Sequence, residues 1–285
     1  MKIILYSFIA IFVFGILRPA FTTKTPKQNT ILLQATDSNP SAQQLEKSVK
    51  IISGRLADFS SEKFEVTVVP GKNQIRVSAS NITDLETVEG LLTPTGEMAF
   101  YETLDRPGWM ELLKGDSTLF SFFEKQINHR GDARLGCISE TGIAEVNGYL
   151  EKRGPISGCR LVWDRQDPSS NCLYALKVNG EKGAVVASSE IESVKYNQDK
   201  AARYNEILVK LKPSAITLWE EVTRRNIDHS IAIVLDNKVL AAPVVRSVIS
   251  GGNCMITGNY TPNEARLIAV VGNNGELPLN FSVVK

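Results

Sequence analysis

Along this chain, apolar positions switch repeatedly between a period of two and a period of three to four. Thr30–Thr36 is a short apolar run that reads as a strand, and Asp37-Ser-Asn-Pro-Ser41 after it carries turn and helix-cap chemistry. From Ala42 to Phe59 the apolar residues Leu45, Val49, Ile52, Leu56 and Phe59 recur at helical spacing, which predicts an amphipathic helix. Phe64–Val69 alternates, Pro70-Gly71-Lys72-Asn73 turns, and Gln74–Ser78 alternates again, the pattern of a hairpin. Asp84 is placed to cap a short helix over Leu85–Leu92. Thr93-Pro-Thr-Gly96 stops that helix, and Glu97–Thr103 reads as a further strand. The order βαββαβ is that of a ferredoxin-like unit, with Glu97–Thr103 as its last strand.

The middle of the chain is less regular. Glu111–Ile127 reads as one helix or a pair of short ones, and Ile143–Leu150 as another that ends at Gly154-Pro155. Arg160–Trp163 and Leu173–Val178 look like paired strands around Asp167-Pro168-Ser169. From Asn205 the signal sharpens. Glu206–Leu211 is a strand, Pro213 to about Asn226 a helix, Ser230–Leu235 a strand, and Asp236-Asn237-Lys238 a tight turn into Val239–Val245. Gly251-Gly252-Asn253 turns into Cys254–Thr257. Thr261-Pro262-Asn263-Glu264 then combines a threonine cap, a proline at the first helical position and a glutamate at the third, opening a helix through Val271. The fold class is α+β.

The N-terminus changes the picture of where such a chain works. Lys2 precedes an apolar run from Ile3 to Leu17. As a helix that run spans about 22 Å, short of the roughly 30 Å hydrocarbon core, and so fits a signal-peptide core better than a spanning helix. Residues 1–22 are read as a signal peptide or a membrane anchor, with a buried core helix as the remaining alternative. The first two options place the rest outside the cytoplasm. A 43% apolar and 22% charged composition is that of a folded protein, and a net charge of +1 without a dense basic run excludes a dedicated nucleic-acid binder. Cys137, Cys159, Cys172 and Cys254 suit an oxidising compartment, and sequence leaves their pairing open.

Candidate chemistry is sparse. There is no nucleophile elbow, zinc-protease motif, phosphate-binding loop or dinucleotide fingerprint. The histidines, His129 and His229, sit in a polar loop and beside Asp228 at a helix-to-strand junction, where surface or capping roles are expected. Glu220 and Glu221, being adjacent, diverge by about 100° on a helix and form a solvated face. Asp236 serves its hairpin turn. Gly251-Gly252 is a turn rather than an anion nest, Arg130-Gly131-Asp132 a chance tripeptide, and Asn81-Ile82-Thr83 a glycosylation sequon on paper only. No catalytic residue, cofactor or metal ligand is expected, and no individual residue is singled out for polypeptide binding.

The stretch Ile231-Ala-Ile-Val-Leu-Asp-Asn-Lys-Val239 with Ala242-Pro243-Val244, Ile256-Thr-Gly-Asn-Tyr-Thr261, Glu264-Ala265 and Gly275-Glu-Leu-Pro278 resembles SecD and fused SecDF proteins, accessory subunits of the Sec translocon. The matching part is their first periplasmic domain. The helix bearing Arg55, Phe64–Val68 and Pro70-Gly71 resemble its base more weakly. The resemblance implies a ferredoxin-like base over 29–104, an inserted α+β head with an insertion over 105–204 and a core over 205–272, and a return to the base over 273–285. It also implies a non-enzymatic protein of the periplasm, or of the outer face of a bacterial inner membrane, that holds emerging or unfolded polypeptide in a head hinged on its base. Sec translocon components would be further partners, and the membrane another if the N-terminal segment is uncleaved. An envelope scaffold that keeps the fold without a role in export is the alternative. Family members continue into membrane helices that conduct a proton-driven step. This sequence ends at Val283-Val284-Lys285, so the expectation here is the soluble task alone.

Overall fold

The computed structural model describes residues 29–80, 82, 84–126, 131–164, 170–178, 183–197 and 205–284. The signal or anchor segment, His129, Arg130, Asn81, Thr83 and the turn Asp167-Pro168-Ser169 lie outside them. The first elements follow the sequence pattern: β1 (Asn29–Ala35), α1 (Ala42–Phe59), β2 (Phe64–Val68), β3 (Gln74–Ala79) and α2 (Leu85–Leu92). Each helix begins where its cap chemistry dictates. The Ser41 hydroxyl accepts from the Gln44 N–H at 3.2 Å while the Gln44 side chain accepts from the Ser41 N–H at 2.9 Å. Asp84 accepts from the Thr87 N–H at 3.0 Å. Leu45, Ile52 and Leu56 turn the apolar face of α1 into the core.

The strand β4 (Met98–Leu104) departs from the expected βαββαβ unit. It does not join β1 and β3. It pairs antiparallel with β11 (Ile231–Leu235) and with β8 (Asn171–Lys177) in the largest sheet. The place beside β1 is taken by β14 (Phe281–Val283), with Leu33 opposite Val283 and Ala35 opposite Phe281. The first sheet therefore runs β14-β1-β3-β2, antiparallel throughout. Burial supplies the reason. Met98 to Thr103 are all buried, and a strand covered on both faces belongs inside a sheet with layers on each side, not at an edge.

The remainder builds two more sheets. β12 (Lys238–Ala241), β11, β4, β8, β6 (Arg134–Ile138) and β5 (Lys125–Gln126) form one, with β7 (Cys159–Trp163) also paired to β8. β13 (Asn253–Gly258), β10 (Asn205–Leu211) and β9 (Ile191–Asn197) form the other. Where one helix or a pair of short ones was expected over Glu111–Ile127, the structure has two short segments, α3 (Arg106–Leu112) and a 3-10 helix over Thr118–Phe122. α3 starts earlier because Asp105 caps it, accepting from the Gly108 N–H at 3.0 Å. It stops because Lys114 and Gly115 adopt left-handed backbone. α4 (Glu140–Arg153) is longer than expected and ends at left-handed Gly154. β6 escapes sequence reading because Gly136 interrupts it. A Cβ there would lie 2.3 Å from the ring of Phe123, so the glycine is what lets that ring pack on the strand. α5 (Pro213–Arg225) and α6 (Pro262–Asn273) complete the chain, and α6 carries the predicted threonine–proline–glutamate cap. One apolar core runs continuously from Ile31, Leu33 and Ile75 through α1 and α6 to Ile207, Trp219 and Ile231.

Candidate functional site

A cleft of about 260 Å³ opens between α5, the β4–β11 pair and the strap Pro243–Ile249. Its floor is set by the helical period of α5, which buries Ala215, Trp219 and Val222 on one side. Trp219 meets Phe100 of β4 edge-on, with ring centroids 5.3 Å apart at 73°. Ile231 and Ile233 on β11, Ile249 on the strap and Cys254 on β13 close the walls. The Trp219 side chain is almost wholly buried, yet its indole N–H has no hydrogen-bond partner. A buried donor without an acceptor costs about 1–3 kcal/mol.

The strap is held by main-chain bonds at its start and by a side-chain hydroxyl at its end. The Ile231 N–H donates to the Pro243 carbonyl at 3.2 Å, the Asp228 N–H to the Val245 carbonyl at 2.8 Å, and the Val245 N–H to the His229 carbonyl at 2.9 Å. At the far end the Ile249 N–H donates at 3.1 Å to the Thr223 hydroxyl, which itself donates to the Trp219 carbonyl at 3.0 Å. The C-terminus of α5 is anchored through Glu102. Its Oε1 accepts from Arg225 Nε at 2.7 Å and from Asn226 Nδ2 at 2.6 Å. Burial pushes the Glu102 carboxyl up, but those two hydrogen bonds and the Arg225 charge outweigh it and hold it below the usual glutamate range.

A second hollow, of about 370 Å³, lies on the outer face of the β13-β10-β9 sheet, where Leu208 and Met255 are 43% and 51% exposed beside Lys195 and Lys210. Cys254 borders both hollows. Burial pushes the thiols of Cys254 and Cys159 up to about 12, which keeps them protonated and unreactive at neutral pH. Cys137 and Cys172 are joined as a disulfide across β6 and β8.

At the turn between β11 and β12 lies a junction of opposite charges. Arg55, on α1, is fully buried, and its guanidinium donates to the carbonyls of Leu91 (3.1 Å), Pro94 (2.6 Å), Thr95 (2.8 Å) and Gly275 (3.0 Å). Burial lowers its pKa to about 10 while the Asp236 carboxylate pulls the other way, so it is charged at neutral pH. Asp236 Oδ1 accepts from the N–H groups of Gly96 (2.8 Å) and Glu97 (3.0 Å) and from the Thr95 hydroxyl. Residues 91–97 are thus clamped from both sides. Gly96 is left-handed, and a Cβ on it would lie 2.4 Å from Arg55 Nη2, so a side chain here would break the clamp.

Residues 168–279 match the family described as SecDF, P1 head subdomain. The SecD subunit of the protein translocase of Calditerrivibrio nitroreducens is 26% identical over 243 residues, 85% of this chain and 40% of the relative. That of Magnetococcus marinus is 24% identical over the same share of this chain and 38% of its own. The SecDF of Thermus thermophilus is 40% identical over 80 residues, 28% of this chain and 11% of the relative. A crystal structure of SecDF in a super-membrane-facing form superposes with a TM-score of 0.57 at 21% identity, over 90% of this chain and 29% of that one. A structure of SecDF titled as a membrane component that enhances protein export superposes at 0.52 and 18% identity, over 90% of this chain and 98% of that one. The family match, the SecD relatives and the SecDF structures together support a SecD/SecDF P1 domain. It spans 40% and 38% of the length of the two SecD relatives named first.

The stretches that resembled SecD in sequence surround the cleft and the clamp. Ile231–Val239 is β11 and its turn, Ala242-Pro243-Val244 is the start of the strap, and Gly275 supplies a carbonyl to Arg55. Asp236 and Asn237 have the left-handed backbone of the expected hairpin turn. The reach of the Asp236 side chain to residues 95–97 was not legible, because its partners lie about 140 positions away. His229 is exposed in the turn after α5, Glu221 is exposed and Glu220 partly so, and Gly251-Gly252 turn into β13. Asp132 pairs with Arg134 at 2.6 Å. None of these enters the cleft lining. Among the described residues no group of metal-ligating side chains is found, and no helix is long and apolar enough to cross a membrane.

Proposed function

We propose that this P1 domain is a non-enzymatic, extracytoplasmic holding device for translocated polypeptide, and that the cleft under the strap Pro243–Ile249 is where it holds. The observation that carries this reading is a cavity of about 260 Å³ walled mainly by apolar side chains, with Arg246 and Ser247 of the strap as its polar members. A site that is apolar with few polar groups favours side chains exposed only while a chain is unfolded, without reading a particular sequence. The SecD and SecDF names of its relatives supply the context of export. In this reading the β14-β1-β3-β2 sheet with α1 and α2 is a ferredoxin-like base whose last strand comes from residues 273–285. The head is inserted between α2 and that strand, with residues 105–204 as its inserted region and 205–272 as its core. The N-terminal segment delivers the domain to the outer face of the inner membrane, beside Sec translocon subunits.

A photo-crosslinking side chain at Val244, on the strap, tests this in cells that accumulate a stalled secretory precursor. Adducts with the precursor are expected, and Trp219→Ala is expected to reduce them by about tenfold or more, the scale on which loss of a buried aromatic anchor acts. Precursor adducts no more abundant than those of an unrelated periplasmic protein carrying the same crosslinker would refute it.

A further inference from the structure

The strand β13 ends its sheet, pairing only with β10 among the described residues. The register sets Val209 opposite Cys254 and Ile207 opposite Ile256, and continues to Leu211, whose N–H donates to the Gly252 carbonyl at 2.8 Å. A bond between directly opposed residues marks a hydrogen-bonded pair, and such pairs recur every second residue in an antiparallel ladder. Cys254 and Ile256 therefore turn their main-chain groups toward β10. Asn253, Met255 and Thr257 turn theirs away, toward an edge on which no strand pairs among the described residues; β12 lies near it and forms no ladder with it.

The side chains of β13 divide the same edge into two faces. Cys254 and Ile256 point inward, and Cys254 borders the cleft under the strap. Met255 points outward, in one row with Leu208 and Lys195, over the hollow of about 370 Å³. The edge thus stands between two apolar hollows, and among the described residues its outward main-chain groups have no ladder partner.

We infer that β13 is a docking edge for an extended polypeptide segment, which adds to the sheet as a strand and sends successive side chains alternately into the cleft and over the Leu208–Met255 face. The inference rests on the holding function proposed above and specifies its substrate class: an extended, proline-free segment with neighbouring apolar residues. Only an extended main chain matches a row of alternating N–H and C=O groups at strand spacing, and a helix or a folded surface cannot. Side chains along a strand alternate in direction, so one residue of the guest enters the cleft and the next packs on Met255. Affinity comes from the main chain and is tolerant of sequence, and the two hollows select for apolar content.

Two measurements test this with the full chain and a short fluorescent peptide of alternating threonine and valine with one central phenylalanine, followed by anisotropy. First, the peptide is N-methylated at every second main-chain nitrogen, in one register or in the other. One isomer is expected to bind as the parent does and the other to lose binding, since only one set of N–H groups faces β13. Second, Met255→Pro removes an outward donor without touching the ladder to β10. It is expected to weaken binding about three- to tenfold, while Leu208→Thr on the outer face gives a smaller loss in the same direction. Equal binding of both methylated isomers overturns the edge mode even where the variant fails to fold. If Trp219→Ala still abolishes binding in that case, the cleft reading survives without the edge. A parent peptide that does not bind at all removes the holding function itself. A concentration-dependent dimer that Met255→Pro abolishes makes a second copy the occupant and overturns the inference.

Discussion

Replacing Arg55 with methionine probes the energetic centre of the domain. Methionine fills much of the same volume but donates nothing, so the carbonyls of Leu91, Pro94, Thr95 and Gly275 lose their donor and the Asp236 carboxylate loses its compensating charge. Hydrogen bonds to a charged group contribute about 1.5–3 kcal/mol each. Taking a guanidinium out of water costs several kcal/mol in the other direction. The difference, with carbonyls that can partly rehydrate at the loop, leaves a loss of about 3–5 kcal/mol, the range for removing one partner of a buried pair. Against a total stability of roughly 5–15 kcal/mol, that is a large fraction. Urea unfolding at pH 7, followed by far-ultraviolet circular dichroism, measures it. Asp236→Asn and the double variant give the coupling. The two single losses should exceed the double loss by about 1 kcal/mol or more, because residues 91–97 are held by both groups at once. An Arg55→Met protein within about 1 kcal/mol of the parent would show that the four carbonyls find other partners and that the clamp is not what holds the loop.

Glu102→Gln tests the anchor of α5. The folded pKa of Glu102 lies below its unfolded value, so the carboxylate contributes stability that is full above the unfolded pKa and is lost as pH falls through the folded one. The variant is expected to be less stable by about 1–2 kcal/mol at pH 7, with the gap closing below about pH 4; a gap independent of pH would contradict the assignment. Cys137→Ser with Cys172→Ser opens a cross-link spanning 35 positions, for which loop entropy gives a loss of about 4 kcal/mol. The same loss should appear in the parent on reduction, and a reduced parent as stable as the oxidised one would contradict the pairing.

Local elements were largely legible from sequence. The caps at Ser41, Asp84 and Thr261 act through side chains and main-chain groups three residues apart, so the information is contained in the stretch itself. The helical period of α1 and α5 and the Asp236-Asn237 turn were legible for the same reason. β6 and β9 were not. A glycine interrupts the first, and the second is mostly half-exposed, so neither shows a clear alternation. The cleft was illegible as a site, since α5, β4, β11 and β13 each contribute one or two apolar residues and the strap four, all of which look like ordinary core in their own stretch.

The sequence by itself determined that the chain alternates helices and strands, where most of them start and stop, and that its C-terminal block resembles SecD. The tertiary structure decided which strands meet. Placing β4 in the large sheet and β14 beside β1 depends on burial of Met98–Thr103 from both sides, which no window of neighbouring residues contains. It also decided that Arg55 and Asp236 grip one loop, that Cys137 pairs with Cys172, and that β13 pairs on one side only among the described residues. Each of these is a contact between positions far apart in the chain. Its free energy comes from desolvation and pairing that exist only after the chain has closed on itself.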